Sequence, residues 1–385
     1  MGESIDNAMD EKFLRNVLFP VIQAGLDKNV DGRSVSEEDC SLLMQIGLRQ
    51  SILPVICRGL KRLGVSGEFL DKMKQQCNRD IYWFVVRDQA LANIYNVLEE
   101  ARIPYIPLKG SIIRNLYPEP WMRTSCDIDV LIHEEDLDRA VAALEEKTDF
   151  KFEKRLYHDI SMLSPQVHLE LHFTIKENMD NIDALLDKVW SYAHPKDDGY
   201  QWTMTPEYQI FHVVAHMCYH FVHGGLGIRP YLDLWLLRNK TTYDESTVRD
   251  MCQSCGILKF YETCCLLSEV WMNDQKHTET TAAMEQYCLE GGVFGTSKTA
   301  QVARQREHRG VSYIFHRLFL PKEILMELYP VLKEKPYLLP YYELKRWSAA
   351  FTSKRKSVQN ELKMLRSTSR DSIDSFDKFL NRMEL

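Results

Sequence analysis

Residues 108–132 read LKGSIIRNLYPEPWMRTSCDIDVLI and end in an apolar segment that begins with two aspartates one residue apart. In a β-strand, residues i and i+2 point to the same face, so Asp127 and Asp129 would stand side by side while Ile128 points to the opposite face. Two adjacent carboxylates repel each other and raise each other's pKa unless a positive charge lies near them. The pattern therefore predicts a strand whose first residues meet a cation.

A glycine–serine turn precedes this strand. Gly110 and Ser111 follow a short β-rich segment at 103–108, and Ser111 is the predicted N-cap of the next helix. Free backbone N–H groups and the positive end of a helix dipole suit a phosphate group, and the Ser111 hydroxyl adds another donor. Lys109, beside the turn, and Arg123, ahead of the aspartates, are candidates to neutralise phosphate charge.

A third acid lies on a later strand, predicted at 167–174. Its central part, HLELH, alternates strictly, so Glu170 shares one face with His168 and His172. Carboxylate oxygens together with phosphate oxygens are the ligands that Mg²⁺ prefers. Three carboxylates and a phosphate-holding turn are the components of two-metal nucleotidyl transfer, provided that the Glu170 strand lies beside the aspartate strand.

Each of these features also has an ordinary structural explanation. Glycine–serine turns begin many helices, two aspartates at a strand start can simply be exposed, and a glutamate on an alternating strand usually faces solvent. The order and spacing of Gly110, Asp127, Asp129 and Glu170 together favour a site over these separate explanations.

The surrounding chain predicts an α+β protein with a small central module. Helical patterns cover residues 1–100, including an amphipathic helix at 77–100, and helices return through 177–350. The strands fall within 101–176. Residues 351–385 form a basic tail, read as a solvated helix or a frayed end in preference to a nucleic-acid contact.

The motifs LKGS, RTSCDIDVL and ELH, in this order, resemble the nucleotidyltransferase fold of the DNA polymerase beta superfamily. The closer resemblance is to the bacterial "uncharacterised nucleotidyltransferase" family, and it extends over most of the chain. It implies a polymerase-beta-like core, a small mixed sheet with helices, flanked by N-terminal and C-terminal helical regions.

The resemblance also implies roles for individual residues. Gly110 and Ser111 would hold the triphosphate of an NTP, Asp127 and Asp129 would bind two Mg²⁺ or Mn²⁺ ions, and Glu170 would bind the catalytic one and accept the proton of the nucleophile. The product would be an NMP joined to a hydroxyl or phosphate of a small molecule, a peptide or a protein, with release of pyrophosphate. The alternatives are a non-catalytic nucleotide- or partner-binding module on the same fold, and a toxin- or antitoxin-type nucleotidyltransferase.

A stripe of histidines forms a second group of candidates. His212, His216 and His220 are spaced by four residues and therefore lie on one face of a helix. They are read mainly as a polar seam facing the central module; contact with a nucleotide, acid–base work and metal binding are the alternatives. Arg229, which follows a glycine-rich turn, either reaches a substrate phosphate or forms a salt bridge at a helix start.

Composition sets the remaining limits. The net charge of −7 disfavours a long nucleic acid as the acceptor. No uninterrupted apolar segment is long enough to cross a bilayer, and the acidic N-terminus does not resemble a secretory signal. The ten cysteines are scattered, and Cys252 and Cys255 form a lone C-x-x-C read as coincidence within a helix. The expected compartment is a reducing cytoplasm.

Overall fold

The computed structural model describes residues 10–30, 35–290, 331–351 and 370–385, together with residues 322, 325, 326 and 329. Helices occupy most of these ranges. The first helix, α1, is continuous and consists of Glu11–Phe13, a π-helical turn Leu14–Leu18 and Phe19–Gly25. The other helices before the sheet are α2 (Glu37–Arg49), α3 (Leu53–Arg62) and α4 (Glu68–Glu100). The helices inside and directly after the sheet are α5 (Gly110–Ile113), α6 (Leu137–Lys147) and α7 (Asp180–Leu186). The later ones are α8 (Pro206–His223), α9 (Ile228–Lys240), α10 (Glu245–Ser254), α11 (Leu258–Asn273), α12 (Glu279–Glu290), α13 (Val331–Glu334), α14 (Leu339–Phe351) and α15 (Arg370–Asn381).

Five strands form one mixed sheet. They are β1 (Tyr105–Pro107), β2 (Asp127–Ile132), β3 (Lys151–Arg155), β4 (Asp159–Leu163) and β5 (His168–His172), in the order β1-β2-β5-β4-β3. β2 and β5 run parallel at the centre, and the other three pairs are antiparallel. A separate hairpin of β6 (Ala193–Pro195) and β7 (Trp202–Met204) follows. The parallel pair places the start of β2 beside the start of β5.

Two hydrophobic cores support this sheet. The smaller lies under it and joins the apolar face of β2 and β5 to α6 and to the C-terminal half of α4. The larger joins α1–α3 to the helices α8–α12 and includes Leu70 and Met73 from the start of α4. α4 spans 33 residues, or about 50 Å at 1.5 Å per residue, and thereby connects the two cores.

The predicted fold class is confirmed, since a small mixed sheet is flanked by helical regions on both sides in the chain. Several local predictions were less accurate. The helix predicted at 77–100 begins at Glu68, the strand β4 was missed, and the hairpin β6–β7 interrupts a region predicted to be helical. β4 is short and lies between two other strands, so its five residues carry little pattern of their own.

The proposed division into regions at residues 100, 176 and 350 stays a prediction. Most of the predicted basic tail, residues 352–369, lies outside the described residues, and the remainder forms α15. Across the part of the chain that the structure describes, no helix is both long and apolar enough to span a membrane.

Candidate functional site

The three predicted acids lie next to one another at one end of the sheet. In the parallel ladder, Asp129 is the direct partner of Glu170, and Asp127 is the partner of His168. Ile128 and Val130 alternate with the aspartates and are buried in the core beneath. Burial of this apolar face therefore forces the acids onto the opposite face, because side chains alternate along a strand.

Two histidines of β5 contact these acids. His168 Nδ1 lies 2.9 Å from Asp127 Oδ1, and His172 Nε2 lies 3.2 Å from Asp129 Oδ1 and 3.5 Å from Glu170 Oε2. Glu170 thus belongs to two adjacent donor sets, one with Asp127 and His168 and one with Asp129 and His172, each with donor atoms within 4.8 Å of one another. Carboxylate oxygens that converge in this way suit a hard divalent cation such as Mg²⁺ or Mn²⁺.

Charge balance explains how the acids tolerate each other. Burial favours the protonated form of Asp129, but the hydrogen bond with His172 and the charge of Lys109 outweigh it and hold the pKa of Asp129 below its ordinary value. Burial works against a charged His172, yet its hydrogen bonds to Asp129 and Glu170 raise the pKa of this imidazole to about 9. The sequence required a cation beside the aspartates, and His172 and Lys109 supply positive charge within the chain itself.

The glycine–serine turn differs from its predicted form. Lys109, not Ser111, occupies the N-cap position of α5, with φ 36° and ψ −100°. The N–H groups of Ser111, Ile112 and Ile113 already donate to the carbonyls of Leu108 and Lys109. The turn therefore offers fewer free N–H groups than expected, and α5, four residues long, carries little dipole. A positive φ in a lysine is a strained conformation of the kind found at functional sites.

Gly110 is required by a close approach. A Cβ at this position would lie 2.7 Å from Arg123 Nη1 and 3.6 Å from Ser125 Cβ. Ser111 does not line the cleft described below. The glycine thus allows the Arg123 guanidinium to lie directly against the turn.

Substitution Gly110→Ala is expected to destabilise the fold by about 1–3 kcal/mol, as overpacking of a filled site does. The added methyl group must displace a guanidinium that Asp233 holds in place. Urea denaturation of Gly110→Ala in the wild-type and Arg123→Lys backgrounds tests this, because lysine lacks Nη1. The cost should be smaller in the lysine background; equal costs would show that Arg123 is not the obstacle.

Asp233, which lies on α9, holds the Arg123 side chain in place. The Nε atom of Arg123 lies 3.0 Å from both carboxylate oxygens of Asp233, and its Nη2 lies 2.8 Å from Oδ2. Tyr117 donates its hydroxyl hydrogen to Asp233 Oδ1 at 2.8 Å. Arg229 Nη1 donates to the carbonyl oxygen of Thr124 at 3.0 Å. Both arginines therefore brace the segment that leads into β2, and their contact with a nucleotide stays a prediction.

Arg123, Arg229 and Asp233 line a cleft of about 310 Å³. Asp127 and Asp129 form one side. Three cationic side chains and two imidazoles also line it, namely Lys109, Arg123, Arg229, His216 and His220. Carboxylates suited to divalent metals thus share one cleft with several cations, the combination that a metal-bound polyphosphate requires.

The histidine stripe lies on α8 and faces this region. His216 Nδ1 lies 2.7 Å from Glu177 Oε1, and His220 Nε2 lies 3.0 Å from His216 Nε2. Burial, helped by nearby positive charge, lowers the pKa of His212 and of His220 to about 3 and that of His216 well below its ordinary value. The stripe is therefore neutral at pH 7.

Acidification should unfold the protein partly through this stripe. In the unfolded chain each histidine of the stripe is protonated below about pH 6.5, whereas in the folded chain it is protonated only at much lower pH. The free energy of unfolding is therefore fully present above pH 6.5 and falls as the pH decreases toward 3. We expect His212→Phe to lose about 2 kcal/mol less unfolding free energy than wild type between pH 7 and pH 5. Urea denaturation at both pH values measures the difference; equal losses in the two proteins would contradict it.

The sequence did not identify several residues of this region. Glu177, Asn178, His158 and Tyr219 lie around a second cavity next to Glu170. Glu177 and Asn178 stand in a loop after β5, where neither periodicity nor a motif marks them. The one sequence feature here is an acid, Glu177, five residues after the ELH motif ends. A single acid in a loop is too frequent in proteins to predict a site.

The chain was compared with known proteins. The family model described as "Uncharacterised nucleotidyltransferase" matches residues 36–273, which is more than half of the chain and includes all the side chains that line the cleft. No curated protein matches the chain.

Proposed function

Because the chain belongs to the uncharacterised nucleotidyltransferase family, we propose that it is an active, metal-dependent enzyme that transfers an NMP from an NTP to an acceptor hydroxyl and releases pyrophosphate. The observation that carries this proposal is the register of β2 and β5, which pairs Asp129 with Glu170 beside a cationic cleft. All three acids are present, and Glu170 shares a group of converging donor atoms with each of the two aspartates. This arrangement supports catalysis over a binding role alone.

The carboxylates of Asp127, Asp129 and Glu170 would hold two Mg²⁺ or Mn²⁺ ions. Such ions, when bound, orient the triphosphate and lower the pKa of an attacking hydroxyl. The chain's own cations do the rest of the positioning: Lys109 and Arg229 line the same cleft as the aspartates and would neutralise the phosphate oxygens. Arg123, held by Asp233, lines this cleft too and would add to the positive charge around the phosphates.

The chemistry is a displacement at the α-phosphorus. The acceptor oxygen forms a bond to that phosphorus, the bond from phosphorus to the bridging oxygen breaks, and pyrophosphate leaves with the bonding electrons. Glu170 takes the hydroxyl proton. Its position fits this role, because it lies beside Asp129 but lines a different cavity from the two aspartates.

The test is label transfer from each of the four α-³²P-labelled NTPs, with Mg²⁺ or Mn²⁺, in the presence of a size-fractionated cell extract. We expect one or more NTPs to label an acceptor and to release pyrophosphate, and Glu170→Gln to abolish both. Asp138→Asn, a change at an exposed acid on α6, is the matched control and should retain both. Nucleotide binding without label transfer in any fraction would favour the binding-module alternative.

A further inference from the structure

A second cavity of about 220 Å³ adjoins the cleft. Glu170 and His172 line it, whereas Asp127 and Asp129 line only the cleft. Lys109, His216 and His220 line both spaces and therefore form the wall between them. The three acids are thus divided: two face the cleft that suits a polyphosphate, and the proposed proton acceptor faces the second cavity.

Two residues that line this cavity each carry a buried imidazole nitrogen with no hydrogen-bond partner among the described residues. These nitrogens are Nδ1 of His172 and Nε2 of His212, on side chains that are 5% and 2% exposed. A buried polar atom without a partner costs about 1–3 kcal/mol, and buried polar groups in folded proteins are nearly always paired. Unsatisfied imidazoles on two residues of the lining therefore favour a polar occupant of the cavity, which could pair with them after a small turn of the rings.

Hydrogen bonds within the wall of the cavity define its pattern of donors. The Glu177 carboxylate can only accept, so His216 donates from Nδ1 and, being neutral, presents an acceptor at Nε2. His220 must then donate from Nε2 to His216. The row Glu177–His216–His220 thus fixes three side chains by hydrogen bonds to one another.

The lining favours a small, uncharged and hydroxyl-rich molecule. Hydrogen-bonding side chains predominate, and Leu108 and Ile175 are the aliphatic members of the lining. Lys176 lies 2.7 Å from Asp187, so its charge is already balanced. The negative charges of Glu170 and Glu177 are matched by the positive charges of Lys109 and His172, so the lining as a whole favours neither an anion nor a cation. The volume is below the roughly 300–1,000 Å³ of cavities that hold drug-sized ligands.

We propose that this second cavity is the acceptor subsite and that it binds a polyol or monosaccharide, one hydroxyl of which faces Glu170 while others pair with the imidazoles of His172 and His212. The proposal rests on the proposed function for the reaction itself. In that reaction the hydroxyl oxygen bonds to the α-phosphorus, its proton passes to Glu170, and pyrophosphate leaves through the cleft.

Asn178 provides a way to test the site without disturbing the core. It lies at the exposed rim of the cavity with φ 59°, a conformation that glycine adopts readily. Asn178→Gly therefore removes the amide without backbone strain. His212→Phe removes the partnerless nitrogen and fills its space with a ring, and neither residue lines the nucleotide cleft.

Saturation-transfer NMR on the full chain with Mg²⁺ tests the proposal. The uncharged probes are myo-inositol and D-glucose. The dipeptide seryl-glycine and D-glucose 6-phosphate represent the other classes of ligand. Each is measured with and without an α,β-methylene NTP. We expect at least one uncharged probe to bind the wild type, and both His212→Phe and Asn178→Gly to weaken it at least tenfold. Binding of the NTP analogue should change less than twofold in either variant.

Binding of only the dipeptide or only the phosphorylated sugar would overturn the assigned class. Polyol binding that both variants leave unchanged would overturn the location, and failure of every probe to bind a wild type that binds the NTP analogue would overturn the subsite. If the wild type binds no NTP analogue, the proposed function fails instead, while the measurements without nucleotide still decide whether the cavity binds a polyol.

Discussion

Asp129→Asn is expected to reduce nucleotidyl transfer by about a thousandfold, equivalent to about 4 kcal/mol of transition-state stabilisation. Asparagine has nearly the same shape but no charge, and Asp129 is the acid that lies opposite Glu170 in the parallel ladder and contacts His172. Its pKa is held below the ordinary value, so the wild-type side chain is ionised at neutral pH. The substitution therefore removes a charge that we propose binds metal and leaves the packing intact.

The measurement is the initial rate of pyrophosphate release with the NTP and acceptor identified by label transfer. Mn²⁺ binding, followed by the loss of the free-ion paramagnetic resonance signal, provides an independent reading and should weaken in parallel. Far-ultraviolet circular dichroism should be unchanged, because Ile128 and Val130 still fill the core below the strand. A variant that retains more than a tenth of the wild-type rate would exclude Asp129 from catalysis.

Arg123→Ala is expected to destabilise the protein by about 3–5 kcal/mol, the largest stability effect that we foresee. The Arg123 and Asp233 side chains are only 8% and 6% exposed and share several hydrogen bonds. Removal of the guanidinium would leave a buried carboxylate with Tyr117 as its remaining donor in this cluster. The pair connects the segment before β2 to α9, so its loss should also loosen the cleft.

Urea denaturation measures this cost, and two further variants interpret it. The triple change Arg123→Met, Asp233→Leu and Tyr117→Phe removes every partner together and should recover most of the lost stability, because no buried charge or hydroxyl is left unpaired. Lys72→Ala breaks an exposed pair with Glu68 and should cost less than about 0.5 kcal/mol. A similar cost for Arg123→Ala and Lys72→Ala would contradict the role of the buried pair.

The local pattern of the sequence was sufficient for much of the fold and for the identity of the three acids. Alternation in DIDVLI and HLELH predicted two strands with acids on one face, and the structure has β2 and β5 at these positions. The order LKGS, DID and ELH also pointed to the family that the comparison found. These inferences succeed because strand alternation and short motifs depend on neighbouring residues only.

Other features depended on contacts between distant residues. The N-cap at Lys109 in place of Ser111, the missed strand β4 and the hairpin β6–β7 are set by packing that no short window contains. Alternation predicts which face a side chain occupies but not which strand lies beside it. The neighbour of Asp129 could therefore be known as Glu170 only once the sheet order was known.

The sequence by itself thus determined which residues are the candidates for the chemistry: two aspartates, one later glutamate and a glycine next to a lysine. Only the tertiary structure decided how they are arranged. It pairs Arg123 with Asp233, 110 positions later in the chain, and brings the helix α8 against Lys109 so that one wall separates two cavities. The physical reason is that backbone geometry repeats over a few residues, whereas buried ion pairs and cavities form where separate elements pack together.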